Sequence, residues 1–570
     1  MKTNTRPATA KQFFSPGGFI SKWHPQYEFR RGQLEMAQAV ESALADRKHL
    51  IVEAGTGTGK TLAYLVPAIL SGKRVVISTG TKNLQEQLFF KDIPFLQRHF
   101  PRPIEVCLMK GRANYACRQK IYDAEKAPVL EGLEENADFE IIREWEKTTQ
   151  AGDRAEIRTL PESSAAWVKL DARRERCTGK ECAQFDRCFI TLLQQRAHKS
   201  DILIVNHHLF FADLMLKRES EASTGVLPEY HAVVLDEAHE VEDIAGQYFG
   251  VAVSSYQFQE LGRDAAATAR QKNFGSVALD AALAALEQSA MRLFGLLPMS
   301  EGRSGFAGRA AFLERNEDAY VDARRRLEIL ASQLALIEET PEEALLLAGR
   351  AQQLSSRLEF VLTSDDPTFV YWLERRGRGC FLQATPIDVA PILAEELFDQ
   401  VPSVVLTSAT LAVGGGFEFV RNRLGVPHAR TLLVPGGFDY PRQALLYVPE
   451  HLPDPRSPAF AEAASEEIVR LLSHSRGRAF VLFTSYQQMR AVHDRVSLRI
   501  DYPALLQGTG PRSALLAEFK RTPNAVLFAT SSFWQGVDVP GEQLSCVIVD
   551  KLPFAVPSDP IVAARVNAVK

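Results

Sequence analysis

The apolar run Leu50-Ile51-Val52 leads straight into Glu53-Ala54-Gly55-Thr56-Gly57-Thr58-Gly59-Lys60-Thr61, and a helical pattern follows over Thr61–Ser71. A strand that ends in a glycine-rich turn and then enters a helix directs backbone N–H groups and the helix N-terminus at one point, where phosphate is held. That geometry demands a parallel sheet. The β-rich runs His49–Glu53, Arg74–Thr79 and Ile104–Leu108 alternate with helical patterns at Thr61–Ser71 and Leu84–Lys91, the βαβ rhythm of a doubly wound domain. The expected fold class is α/β.

Within this loop Lys60 is placed to hold the β and γ phosphates and the Thr61 hydroxyl to ligate Mg²⁺. Gly55, Gly57 and Gly59 let the backbone approach the anion, with Thr56 and Thr58 between them and Ala54 where the usual pattern has glycine. Further on, Val233-Val234-Leu235-Asp236-Glu237-Ala238-His239 ends a second apolar strand in two carboxylates. At a strand's C-terminal edge such a pair suits a metal-holding Asp236 and a water-activating general base, Glu237. His239 is placed to sense the nucleotide. The pairing predicts ATP hydrolysis with ATP and Mg²⁺ as cofactors.

The βαβ rhythm breaks after Leu108 and resumes at Asp201–Asn206, so 109–200 is an insertion. It holds Cys117, Cys177, Cys182 and Cys188. The gaps among the last three exceed the two-residue spacing typical of zinc fingers, and four thiolates suit either a [4Fe–4S] cluster or zinc, or are separate structural cysteines. Cys107, Cys380 and Cys546 lie in apolar surroundings and read as core residues.

From Tyr256 to Thr363 the chain turns to Ala, Leu, Glu and Arg at helical spacing, which predicts an all-helical second insertion. Strand patterns return at Gly379–Gln383 and Ser403–Thr407. A second α/β series runs through Ala444–Val448, Arg478–Phe483, Ala525–Ala529 and Ser545–Val549. Gly414-Gly415-Gly416 and Pro435-Gly436-Gly437 read as linkers.

With 570 residues the chain needs roughly three or four compact units. No apolar run approaches the roughly 20 residues that span a bilayer, and Met1–Gly18 lacks the apolar centre of a secretory signal, so a cytoplasmic protein without membrane contact is expected. A net charge of −4 confines any polyanion site to local patches: Lys110, Arg112, Arg118 and Lys120; Arg173, Arg174, Arg176 and Lys180; Arg375, Arg376 and Arg378.

Taken in order, these motifs resemble the XPD-like superfamily 2 iron–sulfur DNA helicases, in particular their bacterial DinG/YoaA branch. Matching stretches include Phe29-Arg30-Arg31-Gly32-Gln33, Ser78-Thr79-Gly80-Thr81, Lys110-Gly111-Arg112-Ala113-Asn114-Tyr115, Ile204-Val205-Asn206-His207-His208, Leu406-Thr407-Ser408-Ala409-Thr410-Leu411, Gly437-Phe438-Asp439-Tyr440 and Ser531-Ser532-Phe533-Trp534-Gln535-Gly536-Val537-Asp538. The resemblance implies two RecA-like domains. The first would comprise 1–108, 201–255 and 371–434, interrupted by an Fe–S insertion at 109–200 and an arch-like helical insertion at 256–370; the second would be 435–570.

It further implies that Arg30 and Gln33 recognise the nucleotide and that the four cysteines ligate a [4Fe–4S] cluster. Thr79 and its neighbours would touch the single-strand backbone, Ser408 and Thr410 would couple hydrolysis to domain motion, and Gly536 and Asp538 would line the inter-domain cleft. The implied activity is ATP-dependent, 5′-to-3′ DNA unwinding on single strands and duplex junctions, serving repair or replication rescue alongside repair or replication proteins. The alternatives are an ATPase acting on RNA or hybrids with zinc or no metal, and an ATP- and DNA-binding module without full turnover.

Two departures qualify the resemblance. Gln535 stands where the family usually has Glu. The family's final arginine-bearing motif is expected after Lys551-Leu552-Pro553-Phe554, yet only Arg565 follows, which reads as a surface helix position. An arginine finger contributes roughly 10³ to 10⁵ in rate. The second domain is therefore expected to be incomplete at its C-terminal end. Gln507-Gly508-Thr509-Gly510-Pro511-Arg512 precedes the Trp534 stretch and reads as a loop entering a helix.

Overall fold

A computed structural model describes all residues except 1–8, 25–26, 101, 127–131, 158, 162, 174–176, 220–224, 338–339, 511, 535–536, 538, 540 and 570. The chain divides into two compact units, residues 1–437 with 557–570, and residues 438–556. Among the described residues no helix is long and apolar enough to cross a membrane.

In the larger unit the strands in chain order are β1 (Leu50–Ala54), β2 (Val75–Thr79), β3 (Val106–Leu108), β4 (Ile202–Asn206), β5 (Ala232–Asp236), β6 (Val251–Ser254), β7 (Gly302–Gly305), β8 (Phe369–Arg376), β9 (Gly379–Pro386), β10 (Ser403–Ser408) and β11 (Arg430–Val434). Seven of them form one parallel sheet in the order β11-β1-β10-β5-β2-β4-β3. Alternate residues serve two cores. Val52, Ile77, Ile204, Val234 and Val405 face one layer, and Ile51, Val76, Leu203, Val233 and Leu406 the other, all at or below 1 % exposure. A sheet covered on both faces requires such unbroken Val/Ile/Leu runs. Truncating Ile51, Ile77, Ile204, Leu203 or Leu406 to Ala costs roughly 2–5 kcal/mol.

The excursion between β3 and β4 carries the four cysteines and packs around its own small core of Ile121, Phe139, Ile142, Trp167, Leu170 and Phe189. A second excursion is built on the helices Ser255–Lys272, Val277–Gly295, Glu317–Ala335 and Glu342–Thr363. The structure departs from the all-helical expectation here. Strands β6, β9, β8 and β7 form an antiparallel sheet of their own, which packs on the helices through Leu373, Cys380 and Leu382. The pairing of Arg376 with Gly379 closes a two-residue hairpin in which Gly377 takes φ +58°, a backbone setting that glycine adopts without strain. Strand β7, Gly302-Arg303-Ser304-Gly305, is mostly exposed and has no apolar alternation, so nothing in its sequence marks it as a strand.

The smaller unit holds a parallel sheet of β12 (Ala479–Leu482), β13 (Ala504–Leu506), β14 (Val526–Ala529) and β15 (Cys546–Val549), in the order β13-β14-β12-β15. Phe483, Val481 and Phe528 face one core layer, and Phe480, Leu482 and Leu527 the other. The strand expected at Ala444–Val448 is absent. That segment has no pairing partner among the described residues, and Leu445 and Leu446 stand exposed.

Two further expectations are corrected. Gly414-Gly415 is a tight turn, with φ +60° and +82° inside a Val413–Gly416 bridge, rather than a linker. Arg565 is no surface residue: in the helix Pro560–Val569 its side chain is 19 % exposed, with Nε 3.0 Å from Glu242 Oε1 and Nη1 2.5 Å from Asp243 Oδ1. It reaches the helix Val241–Tyr248, which follows Asp236-Glu237-Ala238-His239.

Candidate nucleotide site and cysteine cavity

At the C-terminal end of β1 the chain turns through Gly55–Gly59 into the helix Lys60–Leu70. The Thr58 amide and hydroxyl both donate to the Gly55 carbonyl, at 3.3 and 2.7 Å, folding Thr56 and Gly57 outward. Gly57 and Gly59 take φ +81°. A Cβ on Gly59 would also lie 2.2 Å from Gln33 Nε2, so sterics and dihedral both require glycine there. Gln33 donates to the Gly59 carbonyl at 3.1 Å and Arg30 to the Gly57 carbonyl at 2.5 Å. The two residues expected to read the nucleotide thus brace the phosphate loop from the preceding helix, Arg31–Asp46.

Strand β5 delivers the carboxylates to the same sheet edge. Asp236 is 5 % exposed; its Oδ1 accepts the Glu237 N–H at 3.0 Å and its Oδ2 the Tyr64 hydroxyl at 2.9 Å. Glu237 has φ +59°, a setting that costs a residue with a side chain about 1–3 kcal/mol and recurs where function needs it. Its Oε1 lies 3.7 Å from Lys60 Nζ. Ser408, at the end of β10, donates to Glu237 Oε2 at 3.3 Å and accepts from His239 Nδ1 at 2.8 Å. Lys60, Asp236, Glu237, His239 and Ser408 therefore stand together. Thr61 is the second residue of the helix that Lys60 begins.

Burial, reinforced by the Glu237 charge, pushes the Asp236 carboxyl up to about 6. Burial also pushes Glu237 upward, but the hydrogen bond from His239 and the Lys60 charge outweigh it, so Glu237 stays below the usual range. The same Glu237 bond raises His239. Glu237 is thus kept ionised, as a base must be.

If Asp236 holds Mg²⁺, a proton competes with the metal for its carboxylate below about pH 6. Apparent Mg²⁺ affinity for the nucleotide-loaded protein is expected to fall about tenfold between about pH 7 and about pH 5. A Mg²⁺ titration of binding that is flat over that range would contradict the assignment of Asp236.

Sequence reasoning passed over three residues here. Tyr64 was hidden in an apolar helix and is fully buried. His207, also fully buried, donates from Nε2 to the Asp236 carbonyl at 2.8 Å and accepts from Ser78 Oγ at 2.7 Å; burial lowers its pKa to about 4, so it is neutral. It lay in the Asn206-His207-His208 stretch without a role. Glu53, at the start of the loop stretch, carries no signal of a role in the sequence.

Other expected residues fall differently. Thr79 is fully buried and donates to the Thr81 carbonyl, so a direct strand contact by its side chain is corrected: Gly80 and Thr81 are what that turn presents. Thr410 is exposed beside Ser408. Gly536, Asp538, Arg174 and Arg176 lie outside the described residues. Lys110 is 6 % exposed and paired with Glu86 and Asp153, Arg118 with Glu146, and Lys120 with Asp171, so this basic group is largely neutralised internally.

Cys117, Cys177, Cys182 and Cys188 all line one cavity of about 410 Å³. Cys117 stands just before the helix Arg118–Lys126, and Cys188 is the N-terminal cap of the helix Phe189–Lys199. Cys182 and Cys188 each end a short 3₁₀ turn. Arg112 Nη2 donates to Cys177 Sγ at 3.2 Å. Burial raises Cys117. Among the described residues no three Cys, His, Asp or Glu stand close enough to hold a single metal ion.

Comparison with known proteins places these features in context. Residues 34–150 match the DEAD/DEAH box helicase model and residues 468–570 the helicase C-terminal domain model. The chain is 36 % identical to the ATP-dependent DNA helicase YoaA of Escherichia coli strain K12 over 562 residues, covering 97 % of this chain and 87 % of the relative. It is 32 % identical to the ATP-dependent helicase DinG of Mycobacterium tuberculosis strain H37Rv, covering 95 % and 84 %. A solved XPD helicase aligns with TM-score 0.51 at 16 % identity over 95 % of this chain and 89 % of that one, a likeness of fold.

Proposed function

Because the chain belongs to the family of the YoaA and DinG helicases, we propose that it is an ATP-dependent DNA helicase that moves 5′ to 3′ along single-stranded DNA and opens duplex junctions during repair or replication rescue. The observation that carries this reading is the convergence of Lys60, Asp236, Glu237, His239 and Ser408 at one sheet edge beside the phosphate loop.

In the proposed cycle the loop amides and Lys60 seat the β and γ phosphates, while Arg30 and Gln33 hold the loop in shape. Asp236 and Thr61 would hold Mg²⁺, which neutralises developing phosphate charge when bound. Glu237, kept ionised by His239 and Lys60, takes the proton of the attacking water. Ser408 links that carboxylate to β10, and Thr410 extends the link toward solvent. Motion between the two α/β units would turn each cycle into a step along DNA. Gly536 and Asp538 are assigned to nucleotide-dependent coupling by the resemblance alone.

The cysteine domain at 109–200 is proposed to hold a [4Fe–4S] cluster on Cys117, Cys177, Cys182 and Cys188. What supports this reading is that the four thiols line one cavity, a donor set that suits such a cluster. When bound, the cluster would supply a rigid cross-link of the domain, and the helical unit at 256–370 would flank the DNA beside it.

The test is unwinding of forked and tailed duplexes. Strand separation from 5′-tailed DNA with single-strand-stimulated ATP hydrolysis is expected. Exclusive opening of 3′-tailed duplexes would overturn the polarity, and stimulation by RNA alone would overturn the substrate.

A further inference from the structure

We propose that Glu53 is a positioning residue that fastens the phosphate loop to the Ser408 turn, so that nucleotide state at one is transmitted to the other; this rests on the ATPase reading of the site. Glu53 is the penultimate residue of β1, two positions ahead of Gly55, and lies in register with Ser408 on the neighbouring β10. Its side chain crosses to the far side of that serine. A single carboxylate oxygen, Oε2, accepts the backbone N–H of Leu411 at 2.5 Å and of Ala412 at 2.6 Å.

Two successive amides aimed at one oxygen hold the turn 409–412 as a unit, and the negative charge strengthens both bonds. The turn begins at Ser408, whose hydroxyl contacts Glu237 and His239. One connected path therefore runs from the phosphate loop through Glu53 and the turn backbone to the general base. Glu53 touches no phosphate in this arrangement. Its effect on hydrolysis passes through the placement of Ser408.

The chemistry separates this role from simple support of the loop. Glu53→Ala removes both acceptor bonds. Glu53→Gln keeps a carbonyl oxygen with two lone pairs at the same reach, and Glu53→Asp keeps the charge but falls short of the turn. With full-length protein and single-stranded DNA, E53A and E53D are expected to lower kcat for ATP hydrolysis about tenfold while KM for ATP moves less than about threefold. E53Q is expected to recover to within about threefold of the parent. Against Ser408→Ala the losses are expected to be non-additive, the double variant being no worse than S408A alone within about twofold.

A rise in KM at constant kcat would make Glu53 a loop support and overturn the proposal. So would full additivity with S408A, or parental kcat in both E53A and E53D. Should E53A fail to fold, as judged by thermal unfolding, E53D carries the same test. If the parent itself shows no DNA-stimulated hydrolysis, the ATPase reading fails instead, and the two failures are told apart.

Discussion

Lys60→Ala is expected to lower single-strand-stimulated ATP hydrolysis by roughly 10³-fold or more while leaving the fold intact. Preorganised groups aimed at transition-state charge are typically worth about 10²–10³ each, and Lys60 carries a full charge into a partly water-excluded site. Its side chain is 13 % exposed, and its ammonium lies 3.7 Å from Glu237. The loss has two parts. The γ-phosphate loses its cation, and Glu237 loses one of the influences that hold its pKa below the usual range. Both act on the chemical step.

Stability should change little, because at 3.7 Å the contact is a long ion pair and Glu237 keeps its Ser408 and His239 partners without Lys60. Phosphate release and thermal unfolding measured side by side check the expectation. Retention of more than about a tenth of the parental rate would remove Lys60 from the role assigned to it.

That prediction was open to the sequence because the backbone geometry of the loop is written in local residues. Gly57 and Gly59 need positive φ, Lys60 begins the helix, and an apolar strand precedes them, so neighbours along the chain state the structure. The same holds for Asp236-Glu237 at the end of β5. Contacts between distant segments left no such trace. Tyr64 and Asp236 are 172 positions apart, and Glu53 and Leu411 are 358 apart. Neither tyrosine nor glutamate departs from the pattern of its own element, so no local period could pair them.

Lys110 illustrates the converse. In sequence it joins a basic cluster, but in the fold Glu86 and Asp153 arrive from other elements and enclose it. Charge runs report composition, and only the fold decides which charges are already paired. Strand β7 and the unpaired Ala444–Val448 mark the same limit in opposite directions. One becomes a strand because β8 lies beside it, and the other stays irregular without a described neighbour.

Cys188→Ala is expected to empty the cysteine cavity of iron and abolish duplex unwinding while nucleotide binding survives. Cys188 caps the helix Phe189–Lys199 through its backbone, and its side chain makes no capping hydrogen bond. Alanine therefore keeps the local turn and removes only the sulfur. The proposed [4Fe–4S] group then loses one of its four thiolate ligands. Iron content is expected to fall from about four atoms per chain in anaerobically purified parent to below about one. Nucleotide affinity should hold within about threefold, because the phosphate loop follows β1 while the cysteine excursion leaves the sheet at β3, with four strands, β10, β5, β2 and β4, between them. On the proposed reading, unwinding needs the cysteine domain to keep its shape against DNA, and among the described residues its own core is only eleven buried apolar side chains. Normal unwinding by the variant would make the cluster dispensable, and colourless parent protein with stoichiometric zinc would replace the cluster by a single-ion site.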